Sequence, residues 1–315
     1  MKRSNTLFVA VVALTLSLGW GCSKKEGTPD NKQRIDYISV DEKATLDGQP
    51  LYQYDSIKAE KWNWAGNELY RIDYRYSVTY SENIYYDNKD RIVRTTIPAY
   101  RQRNDFYYDG RQLDRIETFV ADTLSTVLIF VHTDGTLTQI DRVDYNINQT
   151  PNTSTSQQLN NSTLSRLMGN DIAAALDVAA SRRFAKSKAK TSTISYKLEW
   201  DDDDNLTHIA YNAADGEEHI YITYDDKRNP YSELYTSYNL DQTLFGFAML
   251  SPHNVLTIRM PYGVHQELLF SYTYQYTDDY PTQRKLHYSY TTSTSVTDWS
   301  EALFEYNRTE NFYYR

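Results

Sequence analysis

Cysteine is almost missing from this sequence: one residue in 315, Cys22. No disulfide can form within the chain, so stability has to come from packing alone. Positive charge is also short, with 33 Lys and Arg against 42 Asp and Glu and a formal charge of −9. Nucleic-acid binding needs Lys and Arg to neutralise phosphates, so that class of partner is excluded. Apolar runs are confined to Leu7–Leu18, too short for a bilayer-spanning helix. Familiar catalytic patterns are lacking too: there is no His-Glu-x-x-His, no Gly-x-Ser-x-Gly elbow and no Gly-rich phosphate loop. No catalytic residue, metal or cofactor is therefore assigned, and the chain reads as a non-enzyme.

What is present begins with an export signal. Lys2 and Arg3 precede the apolar run, and small residues surround Gly19-Trp20-Gly21-Cys22. Residues 1–21 thus read as a lipoprotein signal peptide with Cys22 as the acylated first residue of the mature chain. A plain secretory signal is the alternative. Stable anchoring needs more than one acyl chain, as a bacterial lipoprotein has. The expected address is the cell envelope, most simply the outer membrane, on either its periplasmic or its surface face. Cleavage leaves 294 residues and takes the charge to −11. Residues 22–34 are polar and read as a flexible tether.

Tyrosine is the abundant aromatic, 30 residues against 10 Phe and 5 Trp, with only 11 Gly and 8 Pro. Tyr suits a pleated surface that is apolar at its base and wet at its tip. Period-2 alternation recurs from Ile35 onward, as in Ile72–Tyr80, Ile220–Tyr224 and Tyr272–Tyr276, and predicts antiparallel strands. Between strands a degenerate repeat appears: Trp64-Ala65-Gly66-Asn67, Tyr86-Asp87-Asn88-Lys89-Asp90, Tyr108-Asp109-Gly110-Arg111, Thr133-Asp134-Gly135-Thr136, Trp200-Asp201 to Asn205, and Tyr224-Asp225-Asp226-Lys227. Asp and Asn bond back to their own backbone and Gly accepts positive φ, so these predict hairpin turns. The predicted fold is mainly β over residues 35–315, a long curved antiparallel meander, barrel-like or half-barrel. One break is expected: Leu164, Leu167, Met168, Ile172, Leu176, Ala179 and Phe184 fall at helical spacing, predicting an inserted helix around 164–186 against the sheet's concave side. The other reading of that helix is a basic amphipathic segment on anionic lipid.

Tyr224-Asp225-Asp226-Lys227-Arg228-Asn229-Pro230-Tyr231, then Leu250-Ser251-Pro252-His253-Asn254-Val255, then Asp279-Tyr280-Pro281-Thr282 follow in an order that resembles an uncharacterised lipoprotein domain of Gram-negative gut and oral bacteria with a porin-like β fold. The turns also resemble the Tyr-Asp repeats of secreted bacterial proteins. The resemblance implies an envelope location and a curved sheet, with Tyr224, Asp225, Lys227, Asn229 and Pro230 as its marker residues, and it brings no catalytic residue. Physically, Pro230 removes a donor and ends a strand.

Candidates for binding are few. Trp62, Trp64 and Trp299 are the possible ligand platform, stacking on sugar rings of a glycan, although cross-strand aromatics stabilise sheets whatever they bind. An envelope protein is the other expected partner class. The six histidines, His132, His208, His219, His253, His265 and His287, read as structural. Asp201–Asp204 invites calcium, but Leu206 stands where an EF-hand needs Gly, so a solvated turn tip is expected. The functional expectation is a non-enzymatic envelope lipoprotein that binds or serves structurally. The alternatives are a hydrolase acting on envelope or dietary polymers, and a transmembrane β-barrel, which the Tyr-Thr-Gln-Ser strands disfavour because they lack an apolar lipid face.

Overall fold

A computed structural model of the chain describes residues 33–75, 79–145, 191–213, 216–232, 251–262, 266–293 and 301–315. Contacts divide the chain at Arg34, and the unit Arg34–Arg315 holds every described strand. In order these are β1 (Ile35–Leu46), β2 (Gln49–Ala65), β3 (Glu68–Arg75), β4 (Thr79–Tyr86), β5 (Ile92–Ile97), β6 (Gln102–Asp109), β7 (Gln112–Val120) and β8 (Thr123–Thr133). They continue as β9 (Thr136–Tyr145), β10 (Thr191–Trp200), β11 (Leu206–Ala213), β12 (Gly216–Arg228), β13 (His253–Tyr262), β14 (Gln266–Thr277), β15 (Tyr280–Ser293) and β16 (Glu301–Tyr314). One 3-10 turn, Pro98–Tyr100, joins β5 to β6.

Each strand pairs antiparallel with the next, and β16 returns to β1. The expected meander is therefore a closed barrel of sixteen strands. Closure leaves no free edge to recruit another chain. Arg34 is bonded into the closure, because Arg315 N–H donates to its carbonyl at 3.0 Å.

Alternation decides what faces where. On β16 Phe304, Tyr306, Arg308, Glu310 and Phe312 are buried while Leu303, Asn307 and Tyr313 are exposed. On β14 Leu268, Phe270 and Tyr272 are buried while Leu269, Thr273 and Gln275 are exposed. A strand's successive side chains point to opposite faces, so the buried set lines the barrel interior. Tyrosines meet there as register partners: Tyr74 with Tyr80 at 4.7 Å between ring centroids, Tyr288 with Tyr306 at 4.9 Å, and Tyr196 with Tyr211 at 5.7 Å. Such pairs are each worth about 0.5–1.5 kcal/mol beyond the area they bury.

Three expectations are corrected. The run Ile72–Tyr80 is not one strand: β3 ends at Arg75 and β4 starts at Thr79, and the alternation carries on because Tyr74 and Tyr80 sit opposite each other across the hairpin. Tyr224-Asp225-Asp226-Lys227 is not a turn but the last part of β12, which runs to Arg228 before Asn229 and Pro230 end it. Trp62 is not a solvent-facing platform. It is 1% exposed, because its parity on β2 turns it into the barrel. Trp64 shares that parity and is half-buried beside it, the rings 6.4 Å apart. Cys22, Trp299, His265 and the expected helix at 164–186 lie outside the described residues.

Candidate functional site

One rim of the barrel is built by a recurring side-chain bond. Where an even-numbered strand ends, an aromatic donor reaches the backbone carbonyl at the start of the odd-numbered strand before it. Trp64 Nε1 bonds Ile35 O at 2.8 Å, Tyr86 Oη bonds Leu69 O at 2.9 Å, and Tyr108 Oη bonds Ile92 O at 2.8 Å. Trp200 Nε1 bonds Leu137 O at 2.7 Å and Tyr224 Oη bonds Leu206 O at 2.8 Å. Tyr274 bonds Val255 O at 2.9 Å and Tyr314 bonds Pro281 O at 2.8 Å. Among the described strands, seven of the eight odd–even pairs carry such a latch; β8, which ends in His132-Thr133, has no aromatic to supply it. A buried carbonyl needs a donor, and an aromatic ring delivers one while filling the space under the turn.

The degenerate sequence repeat was the trace of these latches at Trp64, Tyr86, Tyr108, Trp200 and Tyr224. Those at Tyr274 and Tyr314 fall outside the repeat: Gln275 and Arg315 follow them. Where Asp does follow, it shapes the turn. Asp87 Oδ1 accepts the N–H of Lys89 and of Arg91, and Asp201 Oδ1 accepts those of Asp203 and Asn205. Asp90 and Asp204 close the two turns in the left-handed region, at φ of 57° and 61°. The Arg91 guanidinium bonded to Asp87 holds its carboxyl at about 2. Burial pushes the Tyr108 hydroxyl up to about 12.

The three segments that carry the family resemblance converge on this rim. Asn229 donates its amide to Ser251 O at 3.0 Å and its N–H to Pro252 O at 2.8 Å, while its Oδ1 accepts Tyr231 N–H at 3.0 Å. Asp225 accepts the N–H of Lys227 at 2.9 Å and of Asn254 at 3.1 Å, and the hydroxyl of Tyr276. Lys227 pairs with Asp279 at 3.3 Å, and Arg228 donates to the Tyr280 hydroxyl at 2.8 Å. Of the marker residues, Asp225, Lys227 and Asn229 thus make a clasp that ties the end of β12 to β13 and to the β14–β15 turn, while Tyr224 latches β11 and Pro230 follows the strand's end.

The clasp delivers Tyr231 into the barrel. Its ring meets Trp62 of β2 at 6.1 Å, Phe312 of β16 at 6.0 Å and the Arg284 guanidinium of β15 at 5.4 Å. Arg284 is held by Glu310, its Nε 2.6 Å from Oε2, and Arg308 binds the other carboxylate oxygen at 2.7 Å. Glu60 and Glu42 are buried on the adjoining β2 and β1. Desolvation works against the charge on Arg284, yet Glu310 keeps its pKa above the ordinary guanidinium value. Burial raises the Tyr231 hydroxyl well above its ordinary value.

Beside the clasp a cavity of about 500 Å³ opens, lined by Asp201, Asp203, Asn205, Tyr224, Asp225, Asp226 and His253 among others. His253 Nδ1 lies 3.1 Å from Asn205 Oδ1. The cavity offers carboxylate acceptors and one aromatic edge, a lining suited to a ligand rich in hydroxyl or ammonium donors. Among the described residues no three His, Cys, Asp or Glu converge to hold a metal ion. Asp201, the first of the acidic run once considered for calcium, spends both carboxylate oxygens on its own turn.

No family model and no curated protein matches the chain. Among solved structures it is similar to a porin-like protein from Bacteroides vulgatus, at 10% identity and a TM-score of 0.25, covering 90% of this chain and 99% of that one. It is also similar to a TcdB2-TccC3 structure, at 10% identity and a TM-score of 0.23, covering 81% of this chain but only 16% of the other.

Proposed function

We propose that the chain is a lipid-anchored envelope barrel that acts as a non-enzymatic binding or structural module, attached through acylated Cys22 and bathed in water along its outer wall. The observation that carries this reading is the polarity of that wall. Lys285, His287 and Ser289 face out from β15 and Thr273 and Gln275 from β14. Ion pairs run along and between strands: Arg71 with Asp73 at 2.6 Å, Arg94 with Asp105 at 2.6 Å, and Arg115 with Glu117 at 2.9 Å. A lipid-facing barrel has the reverse arrangement, an apolar band outside and a polar lumen. Exposed apolar residues are flanked in register by polar ones: Ile129 by Arg115 and Asp141, and Tyr221 by His208 and Arg259.

Arg34 enters at the latch rim, bonded to Gly66 of the β2–β3 turn. The ligand classes it suits are a glycan or an envelope protein, met at the rim cavity.

A transmembrane barrel is the second reading, favoured by one feature: a closed antiparallel barrel with an even strand number, the rule for bacterial outer-membrane barrels. Fractionation separates the two. Cys22→Ala is expected to lose fatty-acid label and to leave the membrane without detergent. A Cys22→Ala protein that still needs detergent establishes the transmembrane reading instead. For the cavity, Asp203→Asn and Asp226→Asn, both exposed, are expected to abolish a glycan-array signal, and an empty wild-type array removes the glycan.

A further inference from the structure

We propose that His208 and His219 form a chelating site on the outer wall for a divalent transition-metal ion of the zinc, nickel or copper type. The two imidazoles come from neighbouring strands, β11 and β12. Register sets Tyr221 opposite His208 and Ala210 opposite His219, which makes the histidines diagonal neighbours on one face. His208 Nε2 and His219 Nδ1 stand 3.1 Å apart, the ring planes lie 18° from parallel, and the centroids are 5.2 Å apart. The rings are therefore nearly coplanar, nitrogen toward nitrogen. Two ligands about 2.1 Å from one metal ion stand about 3.0 Å apart at a right angle and about 3.4 Å apart at the tetrahedral angle, so the nitrogens fall within the spacing of adjacent ligands.

A carboxylate selects the tautomer. Glu199, register partner of His208 on β10, lies 3.0 Å from His208 Nδ1. Nδ1 donates to it, and Nε2 carries the lone pair that points at His219. Carboxylate to histidine to metal is the usual arrangement around a bound ion, because the outer carboxylate fixes the ring and raises its basicity. Tyr221 lies over His208 with centroids 4.8 Å apart and planes 10° from parallel, limiting rotation of the ring. Lys197 and Arg259, the cations at flanking register positions, are paired with Glu217 at 3.5 Å and Glu267 at 3.7 Å, which lowers their repulsion of an incoming ion.

In the metal-free pair His219 Nδ1–H donates to His208 Nε2. On binding, that proton moves to His219 Nε2, both facing nitrogens give their lone pairs to the metal, and neither ring changes charge. Two protein ligands leave the remaining coordination positions to water or to donors of a second molecule. Imidazole suits zinc, nickel and copper, whereas magnesium and calcium take oxygen.

Calorimetric titration of the full untagged chain tests the site. Zinc is expected to bind once per chain with a micromolar dissociation constant, and magnesium to give no heat. His208→Asn and His219→Asn are each expected to weaken zinc binding at least tenfold with an unchanged melting temperature, while His132→Asn on β8 leaves it as in wild type. With copper, electron paramagnetic resonance should show two coupled nitrogens in wild type and one in either variant. Absence of zinc heat in wild type, or equal binding in all three variants, overturns the proposal.

Discussion

The two faces of the barrel wall are built from the same strands yet obey opposite rules. The inner face is aromatic and aliphatic, with a few buried charges such as Glu310 between Arg284 and Arg308, while the outer face carries exposed ion pairs, hydroxyls and amides. The difference teaches where stability resides. A buried charge whose partner is removed stays desolvated, whereas an exposed charge exchanges its partner for water.

The sharpest way to break the contrast is Glu310→Ala. It takes the carboxylate from between Arg284 and Arg308 inside the barrel, and a loss of about 3–5 kcal/mol by denaturant titration is expected. Trp62→Ala, which removes the ring beneath Tyr231, is expected to cost about 3–5 kcal/mol as well. If Trp62 were a surface platform the change would be nearly neutral.

A latch sits between the two regimes. Tyr108→Phe keeps the ring and deletes the bond to Ile92 O, so about 1 kcal/mol should be lost at neutral pH. Its folded hydroxyl titrates at about 12, above the ordinary value of 10.0. A raised folded value gives stability that is whole below pH 10 and lost as pH rises through 12, so the alkaline limb of wild type should be steeper there than that of Tyr108→Phe.

Asp87 has the opposite sign. Its folded value of about 2 lies below the ordinary 3.8, so its contribution is whole above pH 4 and lost as pH falls through 2. The acid limb in that window should be shallower in Asp87→Asn. Smallest of all, Arg71→Ala on the outer wall is expected to change stability by less than about 1 kcal/mol, and the change should shrink further in high salt. A large loss there would erase the distinction between the faces.

Much of this was legible beforehand because it is local. Period-2 alternation in Tyr272–Tyr276 gives the strand and its two faces, Gly66, Gly110 and Gly135 mark turns through their positive φ, and the degenerate aromatic turn repeat marks five of the seven latches. What misled was also local. The alternation of Ile72–Tyr80 runs unbroken across a hairpin, and Tyr224-Asp225 looks like its counterparts elsewhere while β12 continues through it. The period of a strand sets Trp62 and Trp64 on one face, but no property of β2 alone says whether that face looks inward.

The sequence by itself determined that this chain makes antiparallel hairpins stabilised without disulfides, since strand period, turn chemistry and a single cysteine are properties of short stretches. Only the tertiary structure decided that β16 closes onto β1, that three distant segments clasp Tyr231 into the interior, and that His208 meets His219. Each of these depends on register between strands, which hydrogen bonding and packing fix across the whole ring and no short stretch of residues encodes.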